Sequence, residues 1–161
     1  MKGDLRMTYA ISTAMLILII LCFFGSARGS YASFGIPQIM LRVVVALPLF
    51  VSGVILHFFR AGLTASIIPP FFPARLFLAL LAGVCEIAGA VGLFIPRFRL
   101  AAAFWIAILM VAIFPANIYS AGQVIGGFRF PSVPVRLAMQ IVYVVLVLLA
   151  GYGIPKPESR P

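Results

Sequence analysis

Apolar residues run almost unbroken through five stretches of this chain, and polar residues gather in the breaks between them. The first stretch extends from about Met7 to Phe24 and the second from Gln38 to Phe59. The third covers Ala74 to Ile95, the fourth Phe98 to Ala116, and the fifth Pro134 to Tyr152. Each approaches the ~20 residues that carry a helix across ~30 Å of hydrocarbon. Backbone groups in lipid must be paired internally, so helix is the predicted state of every stretch. The pattern predicts an all-α integral membrane protein: a four-helix bundle with an additional N-terminal hydrophobic helix or signal peptide. Three parts follow, with residues 1–35 forming the hydrophobic N-terminal segment and its linker, 36–153 the four-helix domain, and 154–161 a polar tail.

The N-terminal part supports two readings. Gly25 and Ala27 put small residues where a signal peptide would be cut, near Ala27. The apolar run is long for a signal, which favours a retained helix. Cys22 does not suit a lipoprotein-type cleavage site, because Leu21 precedes it where a small residue is expected. Gly25 to Gly35 is rich in Gly and Ser and reads as a flexible linker. The tail, Pro155 to Pro161, is Pro-interrupted and is predicted to be disordered.

The connections carry their own information. Pro96-Arg97-Phe98-Arg99 makes a tight basic turn, so the third and fourth stretches are expected as antiparallel neighbours. Ala61 to Pro73 contains no charge and ends Ile68-Pro69-Pro70-Phe71-Phe72-Pro73. A loop of that kind is expected in the interface or folded back over the bundle. Ala121 to Val133, with Phe128, Phe130 and Pro131, is similar apart from Arg129. If every stretch spans, both connections lie on one side of the membrane.

Composition excludes a soluble fold. Apolar residues make up 64% of the chain and charged residues 9%, against about 25% charged in an ordinary soluble domain. The net charge of +9 does not point to nucleic acid, because the twelve Lys and Arg are spread one or two at a time near the ends of apolar runs. That spacing predicts snorkelling to headgroups. With all five stretches spanning, Lys2, Arg6, Arg60, Arg75, Arg129 and Arg136 fall on one side. Arg28, Arg42, Arg97, Arg99, Lys156 and Arg160 fall on the other, and this balance leaves orientation unset by the positive-inside rule. Cys22 and Cys85 lie inside apolar runs and form no C-x-x-C pair, so both read as small buried hydrophobes.

Four polar residues inside the stretches are the candidate site. Glu86, one of three acids, lies near the middle of the third stretch. A carboxylate there is expensive and marks a functional hypothesis. Ala82, Gly83, Gly89 and Ala90 flank it at helical spacing, a small-residue face that lets another helix approach closely. The competing reading is a protonated Glu that donates a hydrogen bond between helices. His57, the one histidine, lies near the end of the second stretch. Alone it makes neither a bis-histidine haem site nor an ordinary zinc site, and no metal site is expected. Its ordinary reading is a satisfied core histidine. Asn117 and Gln140 read as amides that hydrogen-bond across helices. Alternating topology brings His57, Asn117 and Gln140 to the side of the two long connections. Glu86 lies ~16 Å below Arg75 at ~1.5 Å per residue, close to the midplane. This outlines a polar pocket under a proline-rich lid. No complete catalytic constellation is present.

Several stretches resemble the DoxX family, in its broad DoxX/MauE-like grouping. They are Leu41-Arg42, Gly53-Val54-Ile55-Leu56-His57-Phe58 and Ile68-Pro69-Pro70, then Gly83-Val84-Cys85-Glu86-Ile87-Ala88-Gly89 running into Gly92-Leu93-Phe94-Ile95-Pro96-Arg97. The most specific is Val111-Ala112-Ile113-Phe114-Pro115-Ala116-Asn117-Ile118-Tyr119. The likeness covers about Pro37 to Gly153. It implies a four-helix membrane bundle in which Glu86, His57 and Asn117 match recurring polar positions. Some members are associated with quinone-linked sulfur oxidation and oxidative-stress complexes, and most have no assigned activity. The expectation that follows is an accessory subunit of a redox or quinone-linked system in the cell membrane. It would hold a quinone as ligand and take a membrane or peripheral oxidoreductase as partner. A small proton-coupled transporter using Glu86 and a structural membrane protein are the alternatives. The extra first stretch and the chargeless start Ala61-Gly62 after Arg60 depart from the family pattern.

Overall fold

The computed structural model describes residues 36–153. The predicted N-terminal segment, its linker and the polar tail lie outside the described residues.

Four long helices form the bundle: α1 (Ile36–Val54), α3 (Arg75–Gly92), α4 (Arg99–Tyr119) and α5 (Val133–Tyr152). A five-residue π-helical turn, Ile55–Phe59, extends α1, and a short helix α2 (Ala61–Ser66) follows it. Each of the four spans is long and apolar enough to cross a membrane. They close a ring in which α1 packs on α3 and α5, and α4 packs on the same two. The chain is an all-α membrane bundle, as its apolar pattern predicts.

Packing follows from where the small residues fall. The buried core runs through Val45, Ala46 and Leu49 of α1, Ala90 of α3, Ala103, Ile106 and Ala107 of α4, and Val144, Val147 and Ala150 of α5. Large side chains such as Phe59, Phe77, Trp105 and Met139 point outward and are exposed. In water such a surface would be an aggregation hazard; in a bilayer it is the lipid-facing wall. The inside is held by small residues and hydrogen bonds, because lipid tails compete with apolar side chains on equal terms.

Two connections differ from the expected loops. Ala61–Ser66 is helical and packs on α3. The fold-back is pinned by Thr64 Oγ1, which donates to the Leu56 carbonyl at 2.7 Å. That carbonyl lies at the end of the first span, where backbone acceptors lose their helical partners. The second connection contains a two-stranded antiparallel hairpin, β1 (Val124–Ile125) with β2 (Phe128–Arg129). Its loop is Gly126-Gly127, both at positive φ, the requirement of a type I′ hairpin turn.

α4 runs through Pro115, beyond the Ala116 limit of its apolar stretch. It continues to Tyr119, so Asn117 lies within the helix. Pro115 has no N–H for the Val111 carbonyl. One residue earlier, the Met110 carbonyl accepts from Gln140 Nε2, a cross-helix bond on the turn that the proline disturbs. Neighbouring side chains of this kind are what make proline tolerable in a membrane helix.

Two of the arginines expected to snorkel do not. Arg42 is buried, and its Nε donates to the Ala150 carbonyl at 3.1 Å. Gln38 Nε2 adds bonds to the Leu149 and Ala150 carbonyls at 2.8 and 3.0 Å. The last turn of α5 has unpaired carbonyls and the negative end of the helix dipole, so a cation and an amide on the adjacent α1 satisfy both. The second is Arg136, which turns into the bundle as described below.

Candidate functional site

α1 and α3 cross at two glycines. A Cβ on Gly53 would lie 2.8 Å from Ile87 Cγ1 and 3.0 Å from the Gly83 carbonyl oxygen. A Cβ on Gly83 would collide with His57 Cβ. On the other side of Glu86, a Cβ on Gly89 would lie 2.5 Å from Ile106 Cγ1 of α4. The small-residue face around Glu86 therefore serves two neighbours, α1 through Gly83 and α4 through Gly89.

That close approach brings His57 to Glu86. His57 Nε2 lies 3.6 Å from Glu86 Oε1. The other ring nitrogen, Nδ1, lies 2.5 Å from the Ala79 carbonyl oxygen. A carbonyl only accepts, so Nδ1 carries the proton there and Nε2 faces the carboxyl group. The second carboxyl oxygen, Glu86 Oε2, is 2.5 Å from Ser52 Oγ, which donates to it. Glu86 is 5% exposed, so the acid stands in the interior with a hydroxyl and an imidazole as its polar company. Ser52 was not among the residues singled out from sequence. It lies five residues before His57, a separation that does not share a face at the 3.6-residue helical period, and an isolated serine in a membrane helix is common.

A second polar cluster joins α4 and α5. Asn117 Nδ2 donates to Gln140 Oε1 at 2.9 Å, which orients the amide. Its Oδ1 then faces Arg136 Nη1 at 2.8 Å. The same Nη1 reaches the Asn117 carbonyl at 2.9 Å and Ser120 Oγ at 3.1 Å. The guanidinium lies over the Phe130 ring, 4.7 Å from its centroid. Arg136 is thus a member of the site that charge spacing alone assigned to the headgroups.

Both clusters open onto one cavity of about 520 Å³. Ser52, His57 and Glu86 line one part of it, and Asn117, Arg136 and Phe130 another. Leu63, Ile67, Ile68, Pro69 and Phe72 of the first long connection close over it, and the rest of the wall is mostly apolar side chains of α3 and α4. Of the four residues read from sequence, Glu86, His57 and Asn117 face the cavity. Gln140 is buried behind them and does not line it; it holds Asn117 in place. Four residues both line the cavity and are exposed: Leu56 at the end of the first span, Leu81 and Cys85 of α3, and Ala112 of α4. Three of the four belong to α3 and α4, so the cavity opens sideways on that face of the bundle, toward where lipid would lie. Among the described residues no group of three His, Cys, Asp or Glu side chains could hold a metal ion.

A model of a domain of unknown function, DUF8561, matches residues 45–150. The chain belongs to the DUF8561 family. No curated protein and no solved structure matches it. The DUF8561 stretch takes in Ser52, His57, Glu86, Asn117, Arg136 and Gln140, and so contains both polar clusters and the cavity between them. Gln38 and Arg42, which cap α5, precede it.

Proposed function

We propose that this chain is an accessory subunit of a redox or quinone-linked system in the cell membrane. In this reading it supplies a ligand cavity and no redox centre of its own. The observation that carries the reading is the cavity: about 520 Å³, walled by apolar side chains, with a few convergent polar groups. Its sideways opening between α3 and α4 suits a ligand that arrives through the bilayer rather than from water. A quinone has the required character, an apolar ring and tail with carbonyl oxygens that accept hydrogen bonds. Arg136 supplies a donor inside the cavity, and His57 and Glu86 supply an imidazole and a carboxyl group for a proton. The resemblance to DoxX proteins supports a redox partner, either a membrane or a peripheral oxidoreductase.

The test is purification of the full chain in mild detergent, with identification of co-purifying polypeptides and extraction of bound lipid. A stoichiometric oxidoreductase or a stoichiometric quinone is the expected result. Preparations with neither would sink the proposal.

One observation favours a second reading. A lone interior carboxyl group paired with an imidazole beside a cavity is the arrangement a proton-coupled transporter needs. In that reading Glu86→Gln abolishes substrate flux, and unaltered flux would exclude it.

A further inference from the structure

Among the described residues the cation in the cavity has no anion. Arg136 is half-buried and forms three contacts through Nη1, all with neutral oxygens. Its Nε is buried and without a hydrogen-bond partner. Glu86 is the one acidic side chain among the described residues, and its polar contacts are with Ser52 and His57. No ion pair is formed by Arg136 among those residues. Arg136 also lies in the first turn of α5, where the helix dipole adds positive potential to its own charge. A desolvated guanidinium in that field is costly unless a negative group completes it.

The fixed orientation of the cation indicates where that group would lie. Gln140 holds Asn117, Asn117 and Ser120 hold Nη1, and the Phe130 ring covers one face of the guanidinium. Arg136 is the fourth residue of α5, only ~5 Å from the start of the span at ~1.5 Å per residue. In a helix that spans the bilayer, such a position lies near the headgroup end. Below it the cavity is walled by Leu109, Ala112 and Ile113 of α4. We infer that the cavity binds an acidic amphiphile: a carboxylate or phosphate head on Arg136, with its apolar chain running into the cavity and out between α3 and α4. This inference rests on the reading that the cavity holds a membrane-borne ligand, and it names an acidic head as the feature selected. Binding is an ion pair with Arg136 as donor, and no bond is made or broken. The planar guanidinium, with several N–H donors in a fork, suits an oxyanion better than a single carbonyl.

The probe position is built into the site. Cys85 is exposed and lines the sideways opening. The sequence has two cysteines, so Cys22→Ser leaves Cys85 as the sole thiol. In this variant, held in phosphatidylcholine nanodiscs, the rate of Cys85 labelling by uncharged N-ethylmaleimide is measured against added oleate, oleyl alcohol, a decyl-quinone or inorganic phosphate. Oleate is expected to protect Cys85 at concentrations roughly tenfold or more below those of oleyl alcohol, the worth of a charge-assisted hydrogen bond. Arg136→Gln is expected to erase that difference, and Arg136→Lys to retain part of it. Equal protection by the acid and the alcohol in the otherwise native chain overturns the inference without any reliance on a folded Arg136 variant. Phosphate competing with oleate while leaving Cys85 open to label would support the head site. Phosphate protecting Cys85 as well as oleate does would mean a free anion suffices, and would overturn the amphiphile. Protection by the decyl-quinone alone would overturn the acidic head and leave the quinone reading standing. Protection by no probe would overturn both.

Discussion

The Cβ of His57 occupies the space that a Cβ on residue 83 would need. α1 and α3 therefore meet through a missing methyl group, and the 3.6 Å between His57 Nε2 and Glu86 Oε1 depends on that contact. Gly83→Ala must push the helices apart or turn the imidazole away. Overpacking of this sort costs about 1–3 kcal/mol. The expected result is a lower unfolding temperature in detergent, together with loss of whatever ligand the native chain retains. Gly62→Ala is the matched control, because a Cβ there meets nothing within 4 Å. It should leave stability unchanged or raise it slightly, as Ala favours a helix over Gly by about 1 kcal/mol. Equal behaviour of the two variants would mean that the crossing is softer than its geometry implies.

Gln140 stands behind the cavity and joins two structural tasks. It donates to the Met110 carbonyl and accepts from Asn117. Gln140→Leu removes both bonds at similar volume. Cross-helix hydrogen bonds in membranes average about 0.6 kcal/mol each, so a loss of about 1–2 kcal/mol is expected. Asn117 is then free to rotate, and Arg136 loses the fixed position of its Oδ1 partner. The outcome to look for is weaker ligand retention with the helical content intact. A stability loss with ligand retention untouched would assign Gln140 to folding alone.

Arg42 tests the cap on α5. Its Nε bond to the Ala150 carbonyl is buried, and Gln38 shares the same acceptor. Arg42→Ala should destabilise the chain by about 1.5–3 kcal/mol, the range for a hydrogen bond to a charged group. Hydrogen exchange should report the loss at the C-terminal turn of α5 before the rest of the bundle. A surface arginine that only snorkels would produce no such local signal, so uniform exchange would restore that simpler role.

Much of the architecture was legible because membrane spans write themselves in apolar length. All four described spans begin and end within a few residues of the apolar runs, and the small residues around Glu86 marked a true helix crossing. Three features were not legible, each for a physical reason. Pro115 is a residue that kinks or stops a helix, but the cross-helix bond from Gln140 to Met110 supports the turn it disturbs, and no local pattern encodes a partner on another helix. Arg42 and Arg136 look like interfacial charges in sequence, and only the third dimension brings carbonyls and amides to them. The connections carried turn residues and no charge, yet Thr64 and the pair Gly126-Gly127 organise them into a helix and a hairpin. Of the candidate site, Glu86, His57 and Asn117 were readable as costly polar residues in an apolar run. Ser52 was not, because a serine satisfies itself on its own helix, as its 3.1 Å approach to the Leu49 carbonyl illustrates.

Glu86 separates a working site from a structural one. Ser52 has a single hydroxyl proton, and two acceptors compete for it, the Leu49 carbonyl at 3.1 Å and Glu86 Oε2 at 2.5 Å. The shorter contact marks the carboxyl group as its principal partner. Glu86→Gln preserves the shape and a carbonyl acceptor for Ser52, and removes only the capacity to carry charge or yield a proton. If Glu86 merely ties helices together, the variant should unfold within about 1 kcal/mol of the native chain and lose nothing else. If it serves the cavity, a fully folded Glu86→Gln protein should fail in ligand retention or flux. His57→Ala and Glu86→Gln should also be non-additive in that functional readout, since residues in direct contact couple by about 0.5–3 kcal/mol. Strict additivity would mean that the 3.6 Å pair does not act as a unit, and Glu86 would then be working with Ser52 alone.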